Sequence, residues 1–281
     1  MIVLHTLSGT ILKLGPLTLN WYGISYILGC GMGYFIGRIR VKESWRGFSA
    51  QLLEDLLFYV MLGVILGGRA GYVLFYGFDG FLADPFSILR VWEGGMSFHG
   101  GLLGVIAATW LWSVRNDRKA LDSLDFISPL VPFALGVVRL LGNFVNGELW
   151  GRLTHSNWGW LFPNAPELAS FSMAELKQRA AEGSLNAFAR HPSQLYQAFL
   201  EGVVLAGLLW WYSKRQRPTG AVSGFFVLGY GVQRFFVEFF REPDQQLGFV
   251  ALQWMTMGQL LCLPMITFGS WLMWFSYRRV R

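Results

Sequence analysis

The apolar positions of this chain gather into seven long blocks, at approximately 18–37, 56–77, 97–114, 124–143, 194–212, 220–240 and 254–276. A helix needs about 20 mostly apolar residues to cross about 30 Å of hydrocarbon. The pattern therefore predicts an all-α integral membrane protein of about seven transmembrane helices, one polytopic domain over 1–281. Between the fourth and fifth blocks lies a mostly polar segment, 150–193, with Pro163, Pro166, a helix-like run from Met173 to Glu182 and then His191-Pro192-Ser193. It is too short for an independent enzyme and reads as a head insertion, a lid or docking surface over the membrane domain.

Lysine and arginine set the orientation. Arg38, Arg40, Lys42 and Arg46 follow the first block, Arg115, Arg118 and Lys119 the third, Lys214, Arg215 and Arg217 the fifth, and Arg278, Arg279 and Arg281 close the chain. Those clusters hold 13 of the 23 basic residues. The connection 78–96 sets Asp79, Asp84 and Glu93 against Arg90 alone, and 241–253 sets Glu242 and Asp244 against Arg241. By the positive-inside rule the N-terminus is outside, the C-terminus cytoplasmic and the head extracytoplasmic.

Composition agrees: of 281 residues, 53% are hydrophobic and 14% charged, where a soluble domain carries about a quarter. The net charge of +6 is topological and predicts no nucleic-acid partner. Cys30 and Cys262 lie inside apolar blocks as packing residues. No basic segment followed by a cleavage motif opens the chain, so the first block is expected to remain as an anchor. Gly29, Gly33 and Gly37, like Gly63, Gly67 and Gly71, recur every four residues, which predicts close helix packing rather than a dinucleotide loop.

Polar groups inside spans are costly and mark sites. The orientation puts Tyr22, Arg69, His99, Arg139, Glu201 and the series Tyr230, Arg234, Glu238, Arg241 in the outer leaflet. The last four recur at i, i+4, i+8 and i+11 on one helical face. Snorkelling accounts for Arg241 and also suits Arg152, while Arg69 and Arg234 lie about five to seven residues inside, where pairing or a polar cavity is expected. Tyr22 also suits an aromatic belt. Arg139, Asn143 and Asn146 share one face if their helix persists, and Glu148 follows. Arginine forks and carboxamides suit phosphate oxygens. Arg69, Arg139 and Arg234 balance Glu148, Glu201 and Glu238, so the empty site is neutral and accepts a phosphate by partner exchange. A membrane lipid headgroup is the phosphate at hand.

His99, among glycines in Gly94-Gly-Met-Ser-Phe-His-Gly-Gly101, is either a proton acceptor, with an unperturbed pKa near 6.5, or a helix-start histidine bonded to a neighbouring backbone group. His191, ahead of Pro192, is open in the same way, and His5 and His155 carry no signal. No metal is predicted: the four histidines are scattered and no H-E-x-x-H or cysteine pair occurs. Neither a G-x-S-x-G elbow nor a P-loop lysine is present.

The segments Asn143-Phe-Val-Asn-Gly-Glu-Leu-Trp-Gly-Arg152, Gly94-Gly-Met-Ser-Phe-His-Gly-Gly101, Arg190-His-Pro-Ser-Gln-Leu-Tyr196 and Glu238-Phe-Phe-Arg-Glu-Pro-Asp244 together resemble bacterial prolipoprotein diacylglyceryl transferase, over nearly the whole chain from Trp21-Tyr22-Gly23 onward. The resemblance implies transfer of the diacylglyceryl group of phosphatidylglycerol to the lipobox cysteine of lipoprotein precursors, with a thioether made and glycerol phosphate released. It also implies seven helices with an outward head, a bacterial inner-membrane location, phosphatidylglycerol and precursor signal peptides as partners, and no cofactor. Within it, Arg139 and Arg234 would meet charge developing on the phosphate, Asn143 and Tyr22 would fix the headgroup, and His99 would be the candidate base. Glu148, Glu201 and Glu238 would orient the arginines, and Arg69, Asn146, Tyr230 and Arg241 would complete the binding set.

One departure stands out. The family arginine falls at the position of Leu140, and here arginine comes one place earlier, about 100° around an α-helix. A one-residue bulge would let Arg139 fill the place. Two other readings fit parts of the pattern. A lipid or polyol transporter would place polar groups at the midplane and cytoplasmic half too, where this chain has few, and it would show paired halves. A noncatalytic envelope-assembly protein explains the glycines but not the converging cations.

Overall fold

The computed structural model describes residues 2–15, 17–90, 95–243 and 248–279. Glu93, Gly94, Asp244 and Arg281, named above, lie outside the described residues. In chain order the elements are β1 (Val3–Leu4), β2 (Thr10–Leu14), β3 (Leu17–Asn20), α1 (Trp21–Val41), α2 (Ala50–Tyr76), α3 (Phe78–Ala83), α4 (Phe98–Arg115), α5 (Ala120–Ile127) and α6 (Val131–Val137). There follow a π-helical turn (Val138–Phe144), β4 (Trp160–Leu161), α7 (Met173–Ala181), α8 (Ser193–Gln197), a second π-helical turn (Ala198–Val204), α9 (Leu205–Ser213), α10 (Ala221–Val237), β5 (Phe249–Ala251), β6 (Met255–Thr256) and α11 (Met257–Arg278).

Helix overlies each of the seven apolar blocks. Among the described residues three helical runs, Ala50–Tyr76, Ser193–Ser213 and Met257–Arg278, are long and apolar enough to cross a membrane, and a fourth if Ala120–Ile127 and Val131–Phe144, bent by 43°, count as one span. The bend has a cause in the sequence: Pro129 and Pro132 lack the amide protons a continuous helix needs. The expected block 18–37 starts late, at Trp21, because residues 17–20 pair with 10–14 as an antiparallel hairpin.

Contacts divide the chain into two compact units, Met1–Gly33 with Ser128–Arg281, and Tyr34–Ile127. In the second unit a glycine seam joins α2 to α4. A β-carbon added at Gly71 would lie 2.7 Å from the Gly100 Cα, and one at Gly67 would lie 2.7 Å from the Gly104 Cα. Backbone meets backbone there, so four-residue glycine spacing becomes helix contact. Gly104→Val must push the helices apart and should lower the Tm of the detergent-solubilised protein by roughly 5 °C or more. An unchanged Tm would rule the seam out.

In the first unit the head packs its own core of Leu161, Leu168, Leu176, Leu185 and Ala189. Its helix α7 starts on a reciprocal cap: Ser172 Oγ accepts from Glu175 N, and Glu175 Oε2 accepts from Ser172 N. Strand β1 pairs in parallel with β4. Buried His5 continues that pairing and donates from Nε2 to the Phe144 carbonyl at 2.7 Å, so the N-terminal strand is tied to the end of the first π-helical turn. Burial pushes the His5 pKa below the ordinary histidine value, which favours the neutral ring this bond uses.

Candidate active site

Arg139 lies in the turn Val138–Phe144, where the Val145 amide donates to the Leu140 carbonyl at 3.2 Å, five residues back. Such a turn holds one residue more than an α-helical turn, a feature frequent at functional sites. Arg139 Nη1 donates to Asn143 Oδ1 at 3.1 Å, while Leu140 points outward, 44% exposed. Asn143, buried, donates from Nδ2 to Glu148 Oε1 at 2.8 Å, and the Glu148 amide returns to the Asn143 carbonyl at 3.1 Å. Arginine, amide and carboxylate are fixed by one local fold.

The second π-helical turn, Ala198–Val204, carries Glu201, and there too the following amide, Leu205, bonds a carbonyl five residues back, at Leu200. Gly136 and Gly202 bring this helix against α6: a β-carbon at Gly202 would lie 2.7 Å from the Gly136 Cα. Glu201 is fully buried, with Oε2 3.4 Å from Arg139 Nε and Oε1 3.9 Å from Arg234 Nη1. On α10, Arg234 Nη2 meets Glu238 Oε2 at 2.8 Å one turn on, and Arg241 Nη1 stands 3.9 Å from the same oxygen. Thr256 Oγ1, the cap of α11, donates to Glu238 Oε1 at 3.1 Å.

Three guanidinium groups (Arg139, Arg234, Arg241) thus stand among three carboxylates (Glu148, Glu201, Glu238), and their formal charges cancel. The pairing is incomplete in detail. Arg139 Nε, Arg234 Nη1 and both Glu201 oxygens are buried without a hydrogen-bond partner among the described residues. Buried polar atoms left so cost roughly 1–3 kcal/mol each, more when charged. A centre in this state is suited to an anion: phosphate oxygens would take the two idle N–H groups.

The other sequence-predicted residues fall in different places. Tyr22, at the start of α1 and 37% exposed, packs on Gly142, where a β-carbon would lie 3.2 Å from its ring. The helix on which Asn146 was to continue the face of Arg139 and Asn143 does not persist: it ends at Phe144, and the chain turns through Gly147 (φ 62°) and Leu149 (φ 58°). Asn146 instead packs on Gly9. Tyr230, one turn before Arg234, is buried in an apolar cluster with Leu205, Leu209, Tyr212 and Val222. In the second unit, Arg69 is buried and donates to the carbonyls of Ser87, Ile88 (3.2 Å) and Gly95 (3.3 Å), holding the connection after α2. His99, exposed, is the second residue of α4, whose start is capped by Ser97 Oγ accepting from Gly100 N.

Arg190 and Gln194, quoted above only within a motif, and Gln197 also bear on the site. Arg190 is buried, donating to the Gly151 carbonyl at 3.0 Å and pairing with Glu242 (2.9 Å) and Glu167 (2.6 Å). Gly151 in turn bridges Arg241, and Arg152 Nε donates to the Arg241 carbonyl at 3.0 Å. Head and α10 terminus are therefore laced together beside the arginine cluster. Gln194 Nε2 donates to the Glu148 carbonyl at 2.6 Å. Its signal was available: Gln194, Gln197 and Glu201 recur at helical spacing in an otherwise apolar run.

The sequence model of the family described as prolipoprotein diacylglyceryl transferase matches residues 9–275. The chain belongs to the prolipoprotein diacylglyceryl transferase family. Among its relatives, the phosphatidylglycerol–prolipoprotein diacylglyceryl transferase of Xanthomonas euvesicatoria pv. vesicatoria is 51% identical over 279 residues, 99% of this chain and 94% of the relative. The proteins of the same name from Xanthomonas campestris pv. campestris and Xanthomonas oryzae pv. oryzae are 52% and 50% identical over the same shares. Family membership makes the chain a membrane transferase of lipoprotein biosynthesis, and it bears out the resemblance drawn from the four motifs.

Proposed function

We propose that this transferase moves the diacylglyceryl group of phosphatidylglycerol onto the lipobox cysteine of lipoprotein precursors at the Arg139–Glu201–Arg234 centre. The cysteine sulfur forms a bond to the glycerol carbon of the lipid, the carbon–oxygen bond to phosphate breaks, and its electron pair leaves on glycerol phosphate. The observation that carries this reading is the pair of guanidinium groups, both set on one fully buried carboxylate, each with an idle N–H. Cations already in place where charge develops need no reorganisation during the step. Asn143 and Tyr22 fix the headgroup, and Glu148, Glu201 and Glu238 orient the arginines. Asn146, Tyr230 and Arg241 complete the binding set, and Arg69 is proposed for it from the sequence alone.

The thiol must lose its proton, since free cysteine has a pKa of about 8.5 and attacks as thiolate. The candidate base for that proton is His99, proposed from its glycine-flanked motif in the sequence. His99→Gln is expected to lower kcat/KM at neutral pH by about 10²-fold or more, with the deficit shrinking as pH rises and bulk hydroxide supplies thiolate. A wild-type rate and pH profile in the variant would remove the assignment. The topology belongs to the same proposal: seven spans in the bacterial inner membrane, N-terminus and head 150–193 outside, and the site towards the outer leaflet. The test of function is incubation of the purified protein with phosphatidylglycerol vesicles and a lipobox peptide. Thioether product by mass is expected, and its absence would sink the reading.

A further inference from the structure

We infer that Gln197 reads the hydroxyl groups of the lipid headgroup and so sets the preference for a glycerol headgroup, an inference that rests on the transferase reading above. Gln197 closes α8 with no exposed surface, and neither its Oε1 nor its Nε2 has a hydrogen-bond partner among the described residues. An unpartnered carboxamide in a protein interior is costly and is normally satisfied by something bound.

Its neighbours say where that something lies. Gln194, one turn earlier on the same face, holds the Glu148 carbonyl with Nε2 and leaves Oε1 unpartnered. Glu201, one turn later, is the carboxylate between Arg139 and Arg234. A column of two amides and a carboxylate therefore adjoins the centre assigned to the phosphate. Beyond that phosphate, phosphatidylglycerol carries two hydroxyls, each a donor and an acceptor, and a carboxamide offers the complementary acceptor and donor. The amide is uncharged, so a buried ammonium headgroup would gain no counter-charge from it. Sites built to bond a substrate hydroxyl discriminate against the analogue lacking it, because their own polar groups are then left unpaired.

The test compares phosphatidylglycerol with phosphatidylpropanol, which keeps the phosphate and the acyl chains but lacks both headgroup hydroxyls. The readout is the ratio of kcat/KM values for thioether formation on a lipobox peptide. The wild type is expected to favour phosphatidylglycerol by about tenfold or more, the worth of one or two hydrogen bonds. In Gln197→Met, similar in volume and unable to donate, the ratio should fall towards one, and Gln197→Glu should lie between. A wild-type ratio near one, which needs no variant to fold, would overturn the inference. So would an undiminished ratio in Gln197→Met, the result expected if the amide holds only a structural water. No product from either lipid in the wild type would instead sink the transferase reading.

Discussion

Arg234→Ala is expected to lower kcat/KM for diacylglyceryl transfer by about 10³-fold or more. One preorganised donor aimed at developing charge is worth about 10²–10³-fold. The arginine has a second task, since it stands 2.8 Å from Glu238 and 3.9 Å from Glu201, both buried. Removing one partner of a buried ion pair leaves an uncompensated charge and costs about 3–5 kcal/mol. The Tm should therefore fall as well. The two effects separate if the rate is normalised to folded protein: a normal rate per folded molecule would make Arg234 structural only. Arg234→Lys keeps the charge but loses the fork that serves two carboxylates, and should fall between.

Exchanging Arg139 and Leu140, as Arg139→Leu with Leu140→Arg, is expected to be nearly as damaging as Arg139→Ala, about 10²–10³-fold in kcat/KM. On paper the exchange moves arginine to the position that the resemblance leads one to expect. In the π-helical turn, however, residue 139 reaches Asn143 and Glu201, while Leu140 faces outward. The new arginine would leave the centre, and Asn143 Oδ1 and Glu201 Oε2 would lose Arg139. Near-wild-type activity in the double variant would show that the turn reverts to an α-helix and that the bulge does not set the register.

Much of this was legible in the sequence, for identifiable reasons. Long apolar blocks predict helix because a chain in lipid must bond its own backbone. Glycines at four-residue spacing predict close packing, and Gly63, Gly67 and Gly71 do meet α4, whereas a β-carbon at Gly33 would meet nothing within 4 Å. Arginines deep in apolar runs predicted pairing, and Arg234 is paired. What was not legible depends on hydrogen-bond geometry. Helical spacing could not say that the regular helix stops at Phe144, the condition on which Asn146 shares a face with Arg139 and Asn143. Burial of Arg69 did not reveal that the backbone carbonyls of Ser87, Ile88 and Gly95 are among its partners. The hairpins at 10–20 and 249–256 were missed because they are short and flank apolar helices whose composition masks them. Gln197 had the right spacing, but its unpartnered amide is a fact of packing alone.

The central claim is that Arg139 and Arg234 hold the lipid phosphate, and a structure of the protein with bound phosphatidylglycerol tests it most directly. The account predicts phosphate oxygens about 2.7–3.2 Å from nitrogens of both guanidinium groups, with the Glu201 pairs lengthened as the arginines change partners. A phosphate seated away from both arginines, with their bonds to Glu201 and Glu238 unchanged, would contradict it.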